Sequence, residues 1–411
     1  MPPKGNALIG QSGGPTMVIN ASVIGAVQTG RKYEQIESFY GAAHGITGIL
    51  NEDMFDLYHE DPGVLEQLKL TPSAALGTCR MKPKQPDLER CMEVFKAHNI
   101  RYFFYTGGND SQLTCHLISE LAKTSDWEMQ VIGVPKTIDN DLVFTDNCPG
   151  FGSAARFAAA GCQFAAKDAE AFGNIEVVEI MGRNAGWLTG ATQVGRLDDY
   201  MAPHLVYLPE VKVNPDEFLA DCRACYEEYG YLVVAVSEGF AFADSSLGTT
   251  SQKVDEFGHG RLGGVAQAVG DMIEEELGVR ARNDKLGNLQ RCFAWGQSQP
   301  DLDQAYAVGA DAVERAVRGE TDVMVTIERK NDDPYEFETG TTSLVSVADK
   351  VRSVPLEWLN SRQNGVTKEF IDYVKPLTKG LTAGYSADLP HYPRLSKDMA
   401  AKKLQPYVRA K

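Results

Sequence analysis

The sequence predicts an α/β fold of two domains, each a mostly parallel sheet flanked by helices, and three observations carry that prediction. Short apolar runs of strand length alternate with longer helical segments over most of the chain, as βα units around parallel sheets require. Most of these runs end on a glycine-bearing turn, at Gly10 to Gly14, Gly41, Gly107-Gly108, Gly182 and Gly239. A length of 411 residues also exceeds what one ordinary hydrophobic core encloses.

From the N-terminus, Ala7–Gly10 is an apolar strand and Ala21–Thr29 the helix after its glycines. Gln35–Tyr40 is a second strand. Leu88–His98 reads as a helix, Tyr102–Thr106 as an aromatic strand, and Ser111–Leu121 as the helix that follows it. Gln130–Val134 is apolar enough to be a buried strand. Gly152–Glu170 is helical, Ile175–Met181 a strand, and Asp216–Gly230 an amphipathic helix. Leu232–Ser237 is the strongest strand in the chain. Ala266–Glu276 and Asp303–Arg318 are helices, and Val323–Ile327 is the last strand. Lys330–Gly340, rich in Asp, Glu and Asn, reads as a surface loop or hairpin, and Lys402–Lys411 as a short, basic, solvated end.

A formal net charge of −16 with dispersed positive charges repels a polyanion, so nucleic acid is not an expected partner. Anionic substrates would need a local cationic pocket. Hydrophobic residues at 43% and charged residues at 23% are those of a soluble globular protein. No apolar run is long enough to span a membrane, and the start, Met1–Asn6, lacks a signal-peptide hydrophobic stretch. A cytoplasmic location without a membrane partner is expected. The eight cysteines are scattered, and the close pair Cys222 and Cys225 has no second pair to complete a zinc set, so reduced thiols are expected.

Pro135-Lys136-Thr137-Ile138-Asp139-Asn140-Asp141 is the most informative stretch. It sits at the carboxyl end of a strand, the edge of an open α/β sheet where ligands bind. By itself it could be a polar turn. Its composition nevertheless suits phosphoryl transfer: one carboxylate can take a proton from an attacking hydroxyl, and the ammonium can neutralise charge on the transferred group. Other turns bring matching chemistry. Gly13-Gly14-Pro15-Thr16 opens a helix, and its small residues let backbone N–H groups approach a phosphate. Gly107-Gly108-Asn109-Asp110 offers oxygen ligands for Mg²⁺, or else a helix cap. Met181-Gly182-Arg183 puts a guanidinium at a strand end, where it can grip a substrate phosphate bidentately. Glu238 suits sugar hydroxyls, and Arg80 and Arg291 add cations near glycines.

Together these segments resemble the phosphofructokinase family from about Ala7 to Leu377. Gly13-Gly14-Pro15 with Ile19-Asn20-Ala21 is similar to the family's first phosphate turn. Thr137–Asp141 and Met181-Gly182-Arg183 resemble its most specific motifs. Pro149–Ala155, Ser237-Glu238-Gly239 and Leu286-Gly287 with Gln290-Arg291 follow in the family order. The resemblance implies two Rossmann-like domains with the active site in the cleft between them. Residues 1–149 and about 300–352 would form a larger donor-binding domain, and 150–299 with about 353–411 a smaller fructose 6-phosphate-binding domain.

Two positions speak to the donor. ATP-using members carry glycine where this chain has Asp110 and Lys136, and both changes resemble the pyrophosphate-dependent branch. A carboxylate at Asp110 would take the place of a nucleotide's α-phosphate and repel it, while Lys136 would stabilise charge on the smaller donor. The implied reaction moves a phosphoryl group reversibly from pyrophosphate to the 1-hydroxyl of fructose 6-phosphate, with Mg²⁺ as cofactor. The resemblance implies Asp139 as base, with Lys136 and Asp110 also catalytic, and Asn109 and Asp110 near the metal. Gly13, Gly14, Arg80 and Gly108 would hold pyrophosphate. Thr137, Ile138, Asp139, Met181, Gly182, Arg183, Glu238, Asn288 and Arg291 would hold the sugar phosphate, with Arg291 reaching in from a neighbouring subunit of a homodimer or homotetramer.

Three departures from the family pattern stand out. Asn109 replaces an aspartate, Asn174 replaces an arginine of bacterial ATP-using relatives, and Cys292–Gly296 replaces Gly-Gly after Arg291. The rival readings are the same fold using ATP, a non-catalytic regulatory subunit, and a nucleotide-sensing module without turnover. The regulatory reading would call for loss of the catalytic Asp and Lys, and both are present.

Overall fold

Alternation along the strands decides how the larger sheet is buried. In a computed structural model that describes residues 2–196, 198–244, 250–254, 260–262, 264–348, 350–380 and 398–408, Ala7, Ile9, Tyr102, Phe104, Ile132 and Val134 face one core. Leu8, Phe103, Tyr105 and Val131 face another on the opposite side of the sheet. The period of two along each strand and helices on both faces explain why these runs read as continuously apolar. Helices Ile19–Gly30 and Gln299–Val317 cover the first face, and Gln85–Ala97 and Asn109–Thr124 the second.

The strands in chain order are β1 (Gly5–Gln11), β2 (Ile36–Ala42), β3 (Met54–Asp56), β4 (Ile100–Gly107), β5 (Gln130–Pro135), β6 (Ile175–Ile180) and β7 (Leu205–Tyr207). They continue with β8 (Leu232–Ser237), β9 (Thr250–Val254), β10 (Gly260–Leu262), β11 (Ala281–Lys285), β12 (Val323–Asp332) and β13 (Tyr335–Ser343). The larger sheet has seven strands in the order β13-β12-β5-β4-β1-β2-β3, parallel except at its two edges. The chain leaves β1 for β2 on one side and returns to β4 on the other. That reversal opens a crevice at the carboxyl ends of β1 and β4.

The smaller sheet, β11-β6-β8-β7, is parallel throughout. Helix Phe151–Phe172 lies on it with an alanine-rich face (Ala154, Ala155, Ala158, Ala166, Ala169), and Val265–Leu277 packs there as well. β9 and β10 form a separate antiparallel pair. Among the described residues no helix is long and apolar enough to cross a membrane.

Each strand and helix predicted from the sequence is present. Lys330–Gly340 lies in the antiparallel β12–β13 hairpin. The C-terminal stretch needs correction: it is not simply solvated, and the part from residue 398 lies on the larger sheet's unit rather than with the smaller one. Met399 bridges to Phe55, the amides of Lys403 and Leu404 donate to Glu52, and Tyr407 Oη donates to Asp87 at 2.6 Å. Glu52 is 1% exposed, so its carboxylate needs such donors, and the tail supplies them. Residues 409–411 of that predicted end lie outside the described residues.

Candidate active site

Carboxyl ends of both sheets converge on one cleft of about 380 Å³. β1 delivers Gly13 and Gly14, β4 delivers Gly108, Asn109 and Asp110, and β5 delivers Lys136, Thr137, Ile138 and Asp139. Across from them, β6 delivers Arg183, β8 Glu238, and the segment after β11 Arg291; Arg80 completes the wall beside Gly13. The structure thus brings together most of the residues singled out from the sequence.

Three of those residues stand behind the lining. Met181 N–H donates to Gln290 Oε1 at 3.2 Å, and Gly182 N–H donates to Glu238 Oε1 at 3.4 Å, so both fix the walls. Asn288 Oδ1 accepts from Arg291 Nη1 at 3.4 Å and orients that arginine. Arg291 itself requires a correction. It reaches the cleft of its own chain, because the short helix Leu289–Cys292 turns it back against Gly14.

Lys82, Asp141 and Asn184 also line the cleft and were not picked out from the sequence. Lys82 Nζ pairs with Asp110 Oδ1 at 2.9 Å. Its only sequence signal is a second cation two positions beyond Arg80. Asp141 was visible in the motif but not separated from its neighbours.

The donor turn is shaped by the cations above it. Gly13 has φ +74°, and a Cβ there would lie 3.3 Å from Lys136 Nζ. A Cβ on Gly14 would lie 3.0 Å from the Arg291 guanidinium carbon. Lys136 Nζ donates to Gly14 O at 2.8 Å. Thr78 Oγ1 donates to Gly13 O at 2.7 Å, and Gly13 N–H to Cys79 O at 3.0 Å, which ties the Arg80 segment to the same turn. On the far wall a Cβ at position 239 would sit 1.9 Å from Arg183 O, so only glycine lets Glu238 stand beside the arginine loop.

Asp139 is half-buried, and its N–H donates to Thr137 Oγ1 at 3.0 Å. Asn140 follows at φ +56°, a left-handed conformation that asparagine tolerates. Burial first, then the negative charge of Asp141, pushes Asp139 up to about 6. Burial also raises Asp141 and Glu238. Lys136 is 4% exposed; burial, then the Arg291 charge, lowers it to about 7. An incoming polyanion would restore full charge to that ammonium.

Asn109 tests whether a hard cation fits. Its Nδ2 donates to Asp141 Oδ2 at 3.2 Å, which leaves Oδ1 buried without a hydrogen-bond partner. An orphaned amide oxygen next to Asp110 and Asp141 is a donor set of the kind Mg²⁺ prefers.

Comparison with known proteins decides the ancestry. A family model described as "Phosphofructokinase" matches residues 6–316. The chain belongs to the phosphofructokinase family. Phosphofructokinase relatives of matching length include the pyrophosphate--fructose 6-phosphate 1-phosphotransferase of Methylococcus capsulatus, 39% identical over 97% of this chain and 98% of that protein. The protein of the same name from Rhodospirillum rubrum is 40% identical over 93% of this chain and 96% of its own length. Among solved phosphofructokinase structures, the pyrophosphate-dependent enzyme from Nitrosospira multiformis superposes with a TM-score of 0.91 at 38% identity, covering 98% of this chain and 100% of that one.

Proposed function

We propose that this protein transfers a phosphoryl group from pyrophosphate to the 1-hydroxyl of fructose 6-phosphate, giving fructose 1,6-bisphosphate and phosphate, and that it runs in both directions. One observation carries the reading beyond the family: a buried lysine, Lys136, stands 2.8 Å from Gly14 O over the donor turn, with Asp110 at the start of the adjoining helix. The pair fills with charge a space that a nucleotide's α-phosphate would need, and it favours a compact donor. The names of the full-length relatives support the same donor.

In the proposed mechanism, pyrophosphate lies against Gly13, Gly14, Gly108 and Arg80. The sugar phosphate is held by Thr137, Ile138, Arg183, Glu238 and Arg291, with Met181, Gly182 and Asn288 setting their positions. Asp139 accepts the proton of the 1-hydroxyl as that oxygen bonds to the phosphorus, and the bond to the departing phosphate breaks. Lys136 faces the charge that develops on the transferred group; such stabilisation and positioning dominate phosphoryl transfer. Lys82 orients the Asp110 carboxylate. Asn109 and Asp110 would hold Mg²⁺, which when bound supplies neutralising charge to the phosphate oxygens. Arg80, Lys82, Lys136, Arg183 and Arg291 form the cationic pocket that a chain of net charge −16 needs for such substrates.

The larger-sheet unit, residues 1–149 with about 300–352, is proposed to bind the donor and the smaller one the sugar phosphate. A cytoplasmic homodimer or homotetramer belongs to the same proposal and rests on the family. Initial rates of purified protein with fructose 6-phosphate, Mg²⁺ and either pyrophosphate or ATP test the reading. Turnover with pyrophosphate and little with ATP is expected; the reverse order overturns it.

A further inference from the structure

The Asp139 turn is braced from behind by a residue that never enters the cleft. Arg352 lies in the segment that follows the short helix Leu344–Val347. Its Nε donates to Asn140 O at 3.2 Å, and its Nη1 donates to Thr145 O at 2.6 Å and Asp146 O at 2.7 Å. Its backbone N–H donates to Asp141 O at 2.8 Å. One arginine therefore satisfies four carbonyls of the loop that carries the proposed base. Tyr373 completes the brace, since its Oη accepts from Asn140 Nδ2 at 2.9 Å and from Arg352 Nη2 at 3.0 Å.

The same residue touches the sugar-phosphate wall. Its guanidinium lies over the Trp187 ring, 4.5 Å from the centroid, and Trp187 Nε1 donates back to Arg352 O at 2.8 Å. Two residues on, Val354 N–H donates to Glu210 Oε1 at 2.9 Å, and that oxygen also accepts Gly186 N–H at 2.8 Å. Gly186 and Trp187 end the loop that begins at Met181 and carries Arg183. A single strap thus ties both loops together.

We propose that Arg352 is a positioning residue that holds the Asp139–Asp141 turn in its reactive shape and couples it to the Arg183 loop. Loose carbonyls would let Asp139 drift relative to the 1-hydroxyl without altering the pyrophosphate contacts. The transfer step should then suffer more than donor binding. This inference rests on the proposed reaction, and one readout below is independent of it.

Arg352→Ala is expected to lower kcat by about 100-fold, the scale of a misplacement of roughly 1 Å, with little change in KM for pyrophosphate. An open groove lined by Trp187, Arg352 and Tyr373 reaches the site from solvent. Free guanidinium at a sub-denaturing concentration should enter there and restore part of kcat. Arg352→Lys, which keeps the charge but not the planar fork, should fall between the two. Amide exchange over residues 137–148 should quicken in Arg352→Ala while the helix Asn109–Thr124 exchanges as in wild type. Wild-type kcat in the alanine variant overturns the proposal, as does a loss that follows the folded fraction and is not recovered by guanidinium. If wild type fails to use pyrophosphate, the reaction reading falls, and unchanged exchange in Arg352→Ala would then separately sink the brace.

Discussion

Replacing Lys136 by methionine should separate activity from stability. The side chain is 4% exposed and its ammonium donates to Gly14 O at 2.8 Å, so methionine keeps much of the volume and deletes the charge together with that one hydrogen bond. Removing one preorganised donor aimed at developing charge costs about 100- to 1,000-fold in kcat, or about 2.7–4 kcal/mol. Stability should move the other way. Burial depresses Lys136 from its ordinary value to about 7, so the native state holds fewer protons than the unfolded chain between that pH and the ordinary lysine range. Wild-type stability attributable to this group therefore rises with pH across that interval, and below about pH 7 the charged buried lysine is a full burden. Methionine has no such burden, and apolar replacements of buried charges are often neutral or stabilising. Steady-state kinetics with pyrophosphate and melting curves at several pH values would test both halves. The expected result is a large loss of kcat with an unchanged or higher Tm, the gain being greater at low pH. Wild-type kcat, or a loss of activity accompanied by a large fall in Tm, would refute the reasoning.

Other expectations follow from the same geometry. Asp139→Ala should cut turnover by roughly 100- to 10,000-fold, with fructose 6-phosphate affinity changing much less, as measured by initial rates and titration calorimetry. In wild type, kcat/KM should fall as pH drops through about 6, because a carboxyl raised by burial and by Asp141 becomes protonated there and can no longer accept a proton. A flat profile down to the ordinary carboxylate range would place the base elsewhere. Arg183→Ala should weaken fructose 6-phosphate binding by about 2–5 kcal/mol; a loss confined to pyrophosphate would move that arginine to the donor side. The double variant Asp110→Gly, Lys136→Gly should lose most pyrophosphate activity and gain a small ATP-dependent rate, and full retention of pyrophosphate activity would overturn the roles given to both residues.

Much of this architecture was legible because strand burial and turn chemistry are local. Ile9, Phe104 and Val134 announce their strands by being apolar on both sides, and Gly13, Gly107 and Gly182 announce the turns that end them. What was illegible depends on partners far away in the chain. β11, Ala-Arg-Asn-Asp-Lys, carries no apolar pattern and becomes a strand only by pairing with β6. Met54–Asp56 and Leu205–Tyr207 are too short to signal themselves. The docked C-terminus is explained by Glu52, some 350 residues earlier, whose buried carboxylate demands donors. At the site, residue types at strand ends identified Asp139, Lys136 and Arg183. Lys82 and Arg352 escaped notice because each acts through a contact, with Asp110 and with the Asn140 carbonyl respectively, that sequence spacing does not encode. Arg291 was recognised but given to the wrong subunit, since its direction is set by the Leu289–Cys292 turn.

The choice of donor is the central claim, and a competition in one tube tests it most directly. Wild-type protein would be given fructose 6-phosphate, Mg²⁺, and equal pyrophosphate and ATP, with phosphorus NMR following each donor as fructose 1,6-bisphosphate accumulates. The account predicts that pyrophosphate is consumed and ATP persists, because Asp110 and Lys136 favour the compact donor. Consumption of ATP while pyrophosphate persists would contradict it.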